Sequence, residues 1–340
     1  MPTILDDYYV DPDGGNDSWN GDQFLPATPP AGPKLTIAAV LDLLYAAGIL
    51  IKKVTIHLKH TATLYSGDIK FYSLLMFGED GQVVIQPEVW NEDNYQSANG
   101  DPFNASLGAG QFNAQGDKNV TIGSLVDIRN TSGLEFRGIQ FQNDDMGGIQ
   151  ADARGGFLAK YCRFSDHGSG VSAQNFSKAA VENCYFEYNQ LSIYAKNHSH
   201  VTLIGNNFIN DAYFNAIRAY LHSTVEINGW MNPGYFTTVI KNSQLVGKDY
   251  ATIRAMIGSV ICISNLQELD PLSPIPAHVV IFNNHYILKQ DTVGVRLESG
   301  SILTGAGNMA FVTLDAKGEA KEWPLGQRIV QVGGDSRATS

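Results

Sequence analysis

The chain has 340 residues, 44% of them apolar and 17% charged, with a formal net charge of −11. The acidic balance argues against a nucleic-acid partner, because phosphate binding needs a basic face. No apolar run reaches the roughly 20 residues that span a bilayer, so no membrane insertion is expected, and MPTILDDYYVDPDGG lacks the basic start and apolar core of a signal peptide.

Residues 8–30 read as a strand followed by a Gly/Asp/Asn-rich loop. Within it, DPDGGNDSWNGD (11–22) has the Asp spacing of a Ca²⁺ loop but lacks the Gly at the sixth place and the Glu at the twelfth. An Asx-turn-rich loop is the expectation, no metal site is assigned, and Ca²⁺ is the one cofactor left open. In residues 36–47, Ile37, Val40, Leu41 and Leu44 fall on one helical face, and Gly48 is a C-cap candidate. Strands follow at 54–58, 69–77 and 82–87, and then periodicity is lost from 88 to 118, as in a lateral loop.

From 119 to 223 the sequence repeats about every 22 residues. Phe141, Phe164, Phe186 and Phe208 recur at spacings of 23, 22 and 22, and an apolar-x-Ala triplet recurs beside them: Ile149–Ala151, Val171–Ala173, Ile193–Ala195, Ile217–Ala219 and Ile253–Ala255. Short alternating runs with Asn/Gly corners at this period signal an all-β parallel solenoid, each coil burying its core against the next. A solenoid leaves raw strand edges at its ends, so the amphipathic helix is read as the N-terminal cap. Insertions at 228–236, carrying Trp230, and at 265–277 interrupt the later coils, RIVQV (328–332) reads as a terminal strand, and GGDSRATS as a tail. The organisation is therefore 1–50 strand, loop and cap, 51–312 solenoid with three lateral loops, and 313–340 terminal strand and tail. Cys162 and Cys184 lie two residues before the Phe of their coils and are expected to be buried free thiols.

Tyr9-Val10, Pro12, Gly15, Asp17, Gly21, Pro26-Ala27-x-Pro29 and Thr36-Ile37 resemble the opening of right-handed parallel β-helix proteins, a set that includes pectate-lyase-like polysaccharide enzymes and bacteriophage tailspikes. The coil pattern extends the likeness to about residue 312. The resemblance implies a single-stranded right-handed parallel β-helix, and a phage or prophage virion protein binding bacterial surface polysaccharide. It further implies a virion location, other virion proteins as partners, and a homo-oligomer, a trimer by analogy.

Equivalent places in successive coils form columns on the outer wall. One column reads Gln150, Ser172, Tyr194, Arg218, Arg254, Arg296, and the next reads Asp152, Gln174, Lys196, Tyr220, Met256, Glu298. Tyr and Arg suit sugars, since a ring packs on C–H surface and a guanidinium holds a carboxylate or sulfate. Tyr194, Arg218, Tyr220, Arg254, Arg296 and Trp230 are therefore the carbohydrate-binding candidates, with a solvated face and a subunit interface as the other readings. A second set follows the repeating Phe: Asp144, Asp145, Asp166, Glu187 and Asp211. Carboxylates on adjacent rungs have the separation glycosidases use, which makes Asp166, Glu187 and Asp211 the catalytic candidates of a lyase or hydrolase acting on acidic glycan. Turn formation is their bland reading. A structural virion subunit without a ligand is the third function considered. His167, His198, His200 and His222 fall at corners and are expected on the surface.

Overall fold

The structure, a computed structural model, describes residues 4–26, 28–76, 82–90, 117–143, 147–205, 207–210, 212–228, 238–242, 251–264, 279–284, 293–304, 309–314, 320–322 and 330–338. Three long sheets run the length of the chain, with 11, 9 and 9 strands. From Asp117–Ile122 to Met309–Leu314 successive strands go from sheet 2 to sheet 3 to sheet 1 and back, and each pairs in parallel with its counterpart one coil on; Ala320–Glu322 then turns back antiparallel on Met309–Leu314. Gly156–Lys160, Arg163–Ser165 and Ser169–Gln174 make one such coil, and Lys178–Glu182, Tyr185–Glu187 and Leu191–Lys196 the next. At about 4.8 Å per rung the 11 strands of sheet 1 make a rod on the order of 50 Å long. Among the described residues no helix is long and apolar enough to cross a membrane.

The N-terminus supplies the cap. Asp7–Val10 is already the first rung of sheet 1, paired with Lys53–Leu58. The helix spans Ile37–Ala47 and buries Ile37, Val40, Leu41 and Leu44, the face read from the sequence. It starts at Thr36, whose Oγ1 accepts the Ala39 N–H at 3.1 Å, while the Asp17 carboxylate accepts the N–H groups of Leu35 and Thr36 at 2.9 Å. It ends at Gly48, whose φ of 83° lets the chain leave in the left-handed region. Ile69–Tyr72 is the edge strand of sheet 3, and the Tyr45 hydroxyl covers it, donating to the Lys70 carbonyl at 2.9 Å and accepting the Tyr72 N–H. Tyr45→Phe is expected to cost about 1 kcal/mol of stability, read as a lowered urea midpoint. An unchanged midpoint would mean that water serves this edge equally well.

Inside the coil the stacking follows side-chain volume. Phe141, Phe164 and Phe186 are in register in sheet 2, with rings 4.9 Å apart and nearly parallel. The room they need comes from Gly148 and Gly170 in sheet 3. A Cβ on Gly148 would sit 2.8 Å from the Phe164 ring, and one on Gly170 would sit 2.9 Å from that of Phe186. One coil later Ile209 takes the place of Phe, in register with Phe186. Phe208, read from the period as the fourth member of the column, pairs with Tyr185 and stacks on its ring at 5.4 Å instead. Cys162 and Cys184 are fully buried, unbridged and on adjacent rungs, as expected, with the Cys162 N–H 3.3 Å from the Cys184 Sγ. Burial pushes the Cys184 thiol up, which keeps it protonated and inert.

The corner from sheet 3 to sheet 1 is the same in coil after coil. Two successive residues have positive φ: Ala153-Arg154, Asn175-Phe176, Asn197-His198 and Leu221-His222. From Ser177 on, a serine then enters the interior, and its N–H donates to the serine Oγ of the next coil, running Ser177, Ser199, Ser223, Ser259, Ser301, Ser336 at 3.0–3.3 Å. This ladder gives the buried turn a partner on every rung.

At the far end Val330–Val332 closes sheet 3 as a strand, in the segment expected to form one. The segment read as a tail holds a further short strand, Arg337–Ala338, paired with Ile302–Thr304. Residues 91–116, 229–237 and 265–278, which contain most of the three lateral loops, lie outside the described residues.

Candidate functional site

Sheet 3 carries the Tyr/Arg strip on its outer face. The register is continuous: Gln150, Ser172, Tyr194, Arg218, Arg254 and Arg296 occupy one column, and Gln174, Lys196, Tyr220, Met256 and Glu298 the column two residues on. The inward apolar-x-Ala triplets lock this phase, because a slip of one residue would turn every outward side chain into the core.

Chemically the strip has three parts. At its lower end Arg129 is bound to Asp127 at 2.8 Å and lies 5.0 Å from the Tyr72 ring, so charge is neutralised there. At its upper end Arg254 donates to both oxygens of Glu298, at 3.2 and 3.1 Å, and the Arg296 Nε is 3.8 Å from the same carboxylate. Those side chains are 17% and 11% exposed and pair with Glu298. The middle is different. The Arg218 guanidinium sits 5.6 Å from the Tyr194 ring centre and 5.5 Å from that of Tyr220, held by cation–π contacts. Among the described residues its hydrogen-bond contact is the Met256 Sδ at 3.8 Å, and it has no carboxylate partner there. Burial raises the Tyr194 phenol above its usual range, with the Arg218 charge acting against that rise. Tyr194, Arg218, Tyr220 and Lys196, all half-buried, thus make a cationic, ring-lined face on an acidic chain.

Of the acidic candidates, Asp166 and Glu187 are described, and they do not share a place in the coil. Asp166 stands at a corner with a φ of 62°, and the equivalent place in the next coil is Tyr188, with φ 54°. Glu187 is one place earlier, on the strand, in register with Ser165 and Asn210. The Glu187 carboxylate forms a short ion pair with Arg163, whose guanidinium also lies 4.9 Å from the Tyr185 ring. Asp166 accepts from the Gln142 amide at 3.4 Å. Asp144, Asp145, Asp211 and Trp230 lie outside the described residues.

Among the histidines His167 is buried, against the surface expectation: its N–H donates to the Asn189 Oδ1 and its Nδ1 lies 3.1 Å from the Asn143 carbonyl. In the N-terminal loop, Asp11 accepts the N–H groups of Asp13 and Gly14 and is bound to Lys59 at 2.6 Å, while Asn16 accepts from Ser18. These are Asx turns with their carboxylate already engaged.

Residues 117–229 match the family described as right handed beta helix region. No curated protein matches the sequence. Among solved structures the chain is similar to the pectin methylesterase from Aspergillus niger, at 11% identity and a TM-score of 0.28, over 99% of this chain and 87% of that one. It is also similar to DFA-IIIase from Arthrobacter chlorophenolicus A6, at 11% identity and a TM-score of 0.35, over 98% of this chain and 93% of that one. No site residue is carried over from either. Three continuous sheets of parallel coils, with a sequence match across the most regular of them, make this chain a right-handed parallel β-helix.

Proposed function

We propose that this protein binds an acidic polysaccharide along the outer face of sheet 3, as a tailspike- or fibre-like virion protein would engage a bacterial surface glycan. The observation that carries the reading is Arg218, a guanidinium oriented by the rings of Tyr194 and Tyr220 with no carboxylate partner among the described residues. A uronate or sulfate offers that group a two-point, charge-assisted contact, and the flanking phenol rings offer surfaces for sugar C–H groups. A linear polymer lying along the sheet meets such groups at successive rungs. Arg254 and Arg296 then support the site through Glu298 and are not its main contacts.

The test is binding to capsular, lipopolysaccharide and exopolysaccharide preparations, with scattering mass measured alongside. Arg218→Ala is expected to weaken binding about tenfold or more, the size of one charge-assisted contact, and Tyr194→Ala to weaken it less. Wild-type binding by Arg218→Ala would move the site off sheet 3. New reducing or unsaturated ends in the polymer would replace a receptor with an enzyme. Neither binding nor cleavage, with a defined oligomeric mass, would leave a structural subunit.

A further inference from the structure

A second site lies at the corner between sheets 3 and 1, away from the strip. There a notch of about 420 Å³ is lined by Ser132, Arg154, Gly155, Gly156, Phe176 and Lys178. It exists because the place held by Lys178 and His200 in the coils above carries no side chain here. Gly156 is in register with Lys178 and His200 of the coils above, and Gly155, next to it, precedes the first member of the serine ladder by one coil. Gly155 must be glycine, since a Cβ there would lie 2.5 Å from the Ile128 carbonyl. Gly156 is under no such constraint: its nearest neighbours would be 3.5 and 3.8 Å away, ordinary contact distances. The fold tolerates a side chain at this place, and the sequence leaves it empty.

The groups around the opening are complementary to one kind of ligand. Arg154 and Lys178 are both exposed, and neither has a carboxylate partner among the described residues. Asp152, the acid nearest Arg154 in sequence, turns its Oδ1 to the Ala153 N–H at 2.7 Å and the Asn175 amide at 2.6 Å. Phe176 is 62% exposed, yet its ring is fixed: it stacks on His198 at 5.1 Å and 13°, and His198 stacks on His222 at 5.3 Å. The stack ends at the notch, because the next place down belongs to Arg154.

We propose that this notch binds a single anionic sugar residue, with the ring face on Phe176 and the carboxylate, sulfate or phosphate between Arg154 and Lys178. The site stands whether or not sheet 3 takes a polymer, and its variants lie on a different face from Arg218. The test is a titration of ¹³C-Phe, ¹³C-His-labelled full-length protein with methyl glucuronide, methyl glucoside and sodium sulfate. Methyl glucuronide is expected to shift the Phe176 and His198 resonances saturably, and methyl glucoside to bind at least about tenfold more weakly, as loss of a charge-assisted contact requires. Arg154→Ala and Lys178→Ala should each weaken the glucuronide about tenfold, and Gly156→Leu should abolish the shifts by filling the notch. Should Gly156→Leu fold poorly, Phe176→Ala at its exposed position makes the same test through glucuronide retained in ligand-observed spectra. Three results would overturn the proposal: no saturable shift, equal binding of glucoside, or glucuronide affinity unchanged in the Arg154 and Phe176 variants. Shifts produced by sulfate alone, with glucuronide adding nothing at Phe176, would reduce the site to a simple anion contact and overturn it as well.

Discussion

Phe164→Ala is expected to lower the unfolding free energy by about 3–5 kcal/mol, and Phe208→Ala by well under half of that. Both residues sit at the same step of the sequence period, so a model built on the period alone predicts equal losses. In the structure Phe164 is fully buried between two parallel rings, each 4.9 Å away, and its removal opens a cavity in the middle of the ladder. Phe208 is only half-buried, on the outer side of sheet 2 against Tyr185. A solenoid couples mainly to its neighbours, so the damage from Phe164→Ala should be local. Hydrogen exchange should rise first in Ile139–Gln142, Arg163–Ser165 and Tyr185–Glu187. Equal losses at the two positions would show that sheet 2 keeps the simple 22-residue register.

That contrast marks where the chain can be read and where it cannot. Sheet 3 was legible in full, from Gln150 to Glu298, because each of its strands places two inward apolar residues around one outward residue and so fixes its own phase. The helix was legible for the same reason, with four apolar positions on one face between a Thr and a Gly. Sheet 2 was not. The step from one coil to the next is 22 residues at Glu182↔Ile204 but 23 at Tyr185↔Phe208. An added residue at a corner moves everything after it, and a period cannot say at which corner the addition falls. Here the addition falls between Ile204 and Asn207, and Asn207 then takes the next place in the Cys162–Cys184 column, where its side-chain oxygen accepts the Cys184 N–H at 2.9 Å. Asp166 and Glu187 fall out of step for a related reason: they are 21 residues apart in a 22-residue register, which puts one at a corner and the other on a strand. The serine ladder was hidden because only its first step, Ser177 to Ser199, keeps the 22-residue period, and the others are longer. The notch left no mark of its own, since Gly155-Gly156 looks like any other corner and becomes a cavity only beneath Lys178 and Phe176.

The second large effect expected is at Glu187, where it separates a structural carboxylate from a catalytic one. Glu187 faces outward on sheet 2, and Arg163, on the coil before, reaches across the rung to pair with it while lying over the Tyr185 ring. Arg163 is 7% exposed, so its charge has largely been taken out of water. Burial, with the Glu187 charge added to it, pushes the Tyr185 phenol well above its usual range, which keeps that group neutral beside the pair. Glu187→Ala removes the Glu187 carboxylate from a buried guanidinium, and breaking a buried pair in this way costs about 3–5 kcal/mol, whereas replacing both partners by apolar groups is often nearly neutral. The double variant Arg163→Met, Glu187→Leu should therefore recover most of the stability that Glu187→Ala loses, as measured by urea unfolding. If instead Glu187→Ala keeps wild-type stability and abolishes cleavage of a polymer that the wild type degrades, the ion pair is not what holds this face together. Glu187 would then be an acid or base in a catalytic site, and sheet 2 would replace sheet 3 as the working surface.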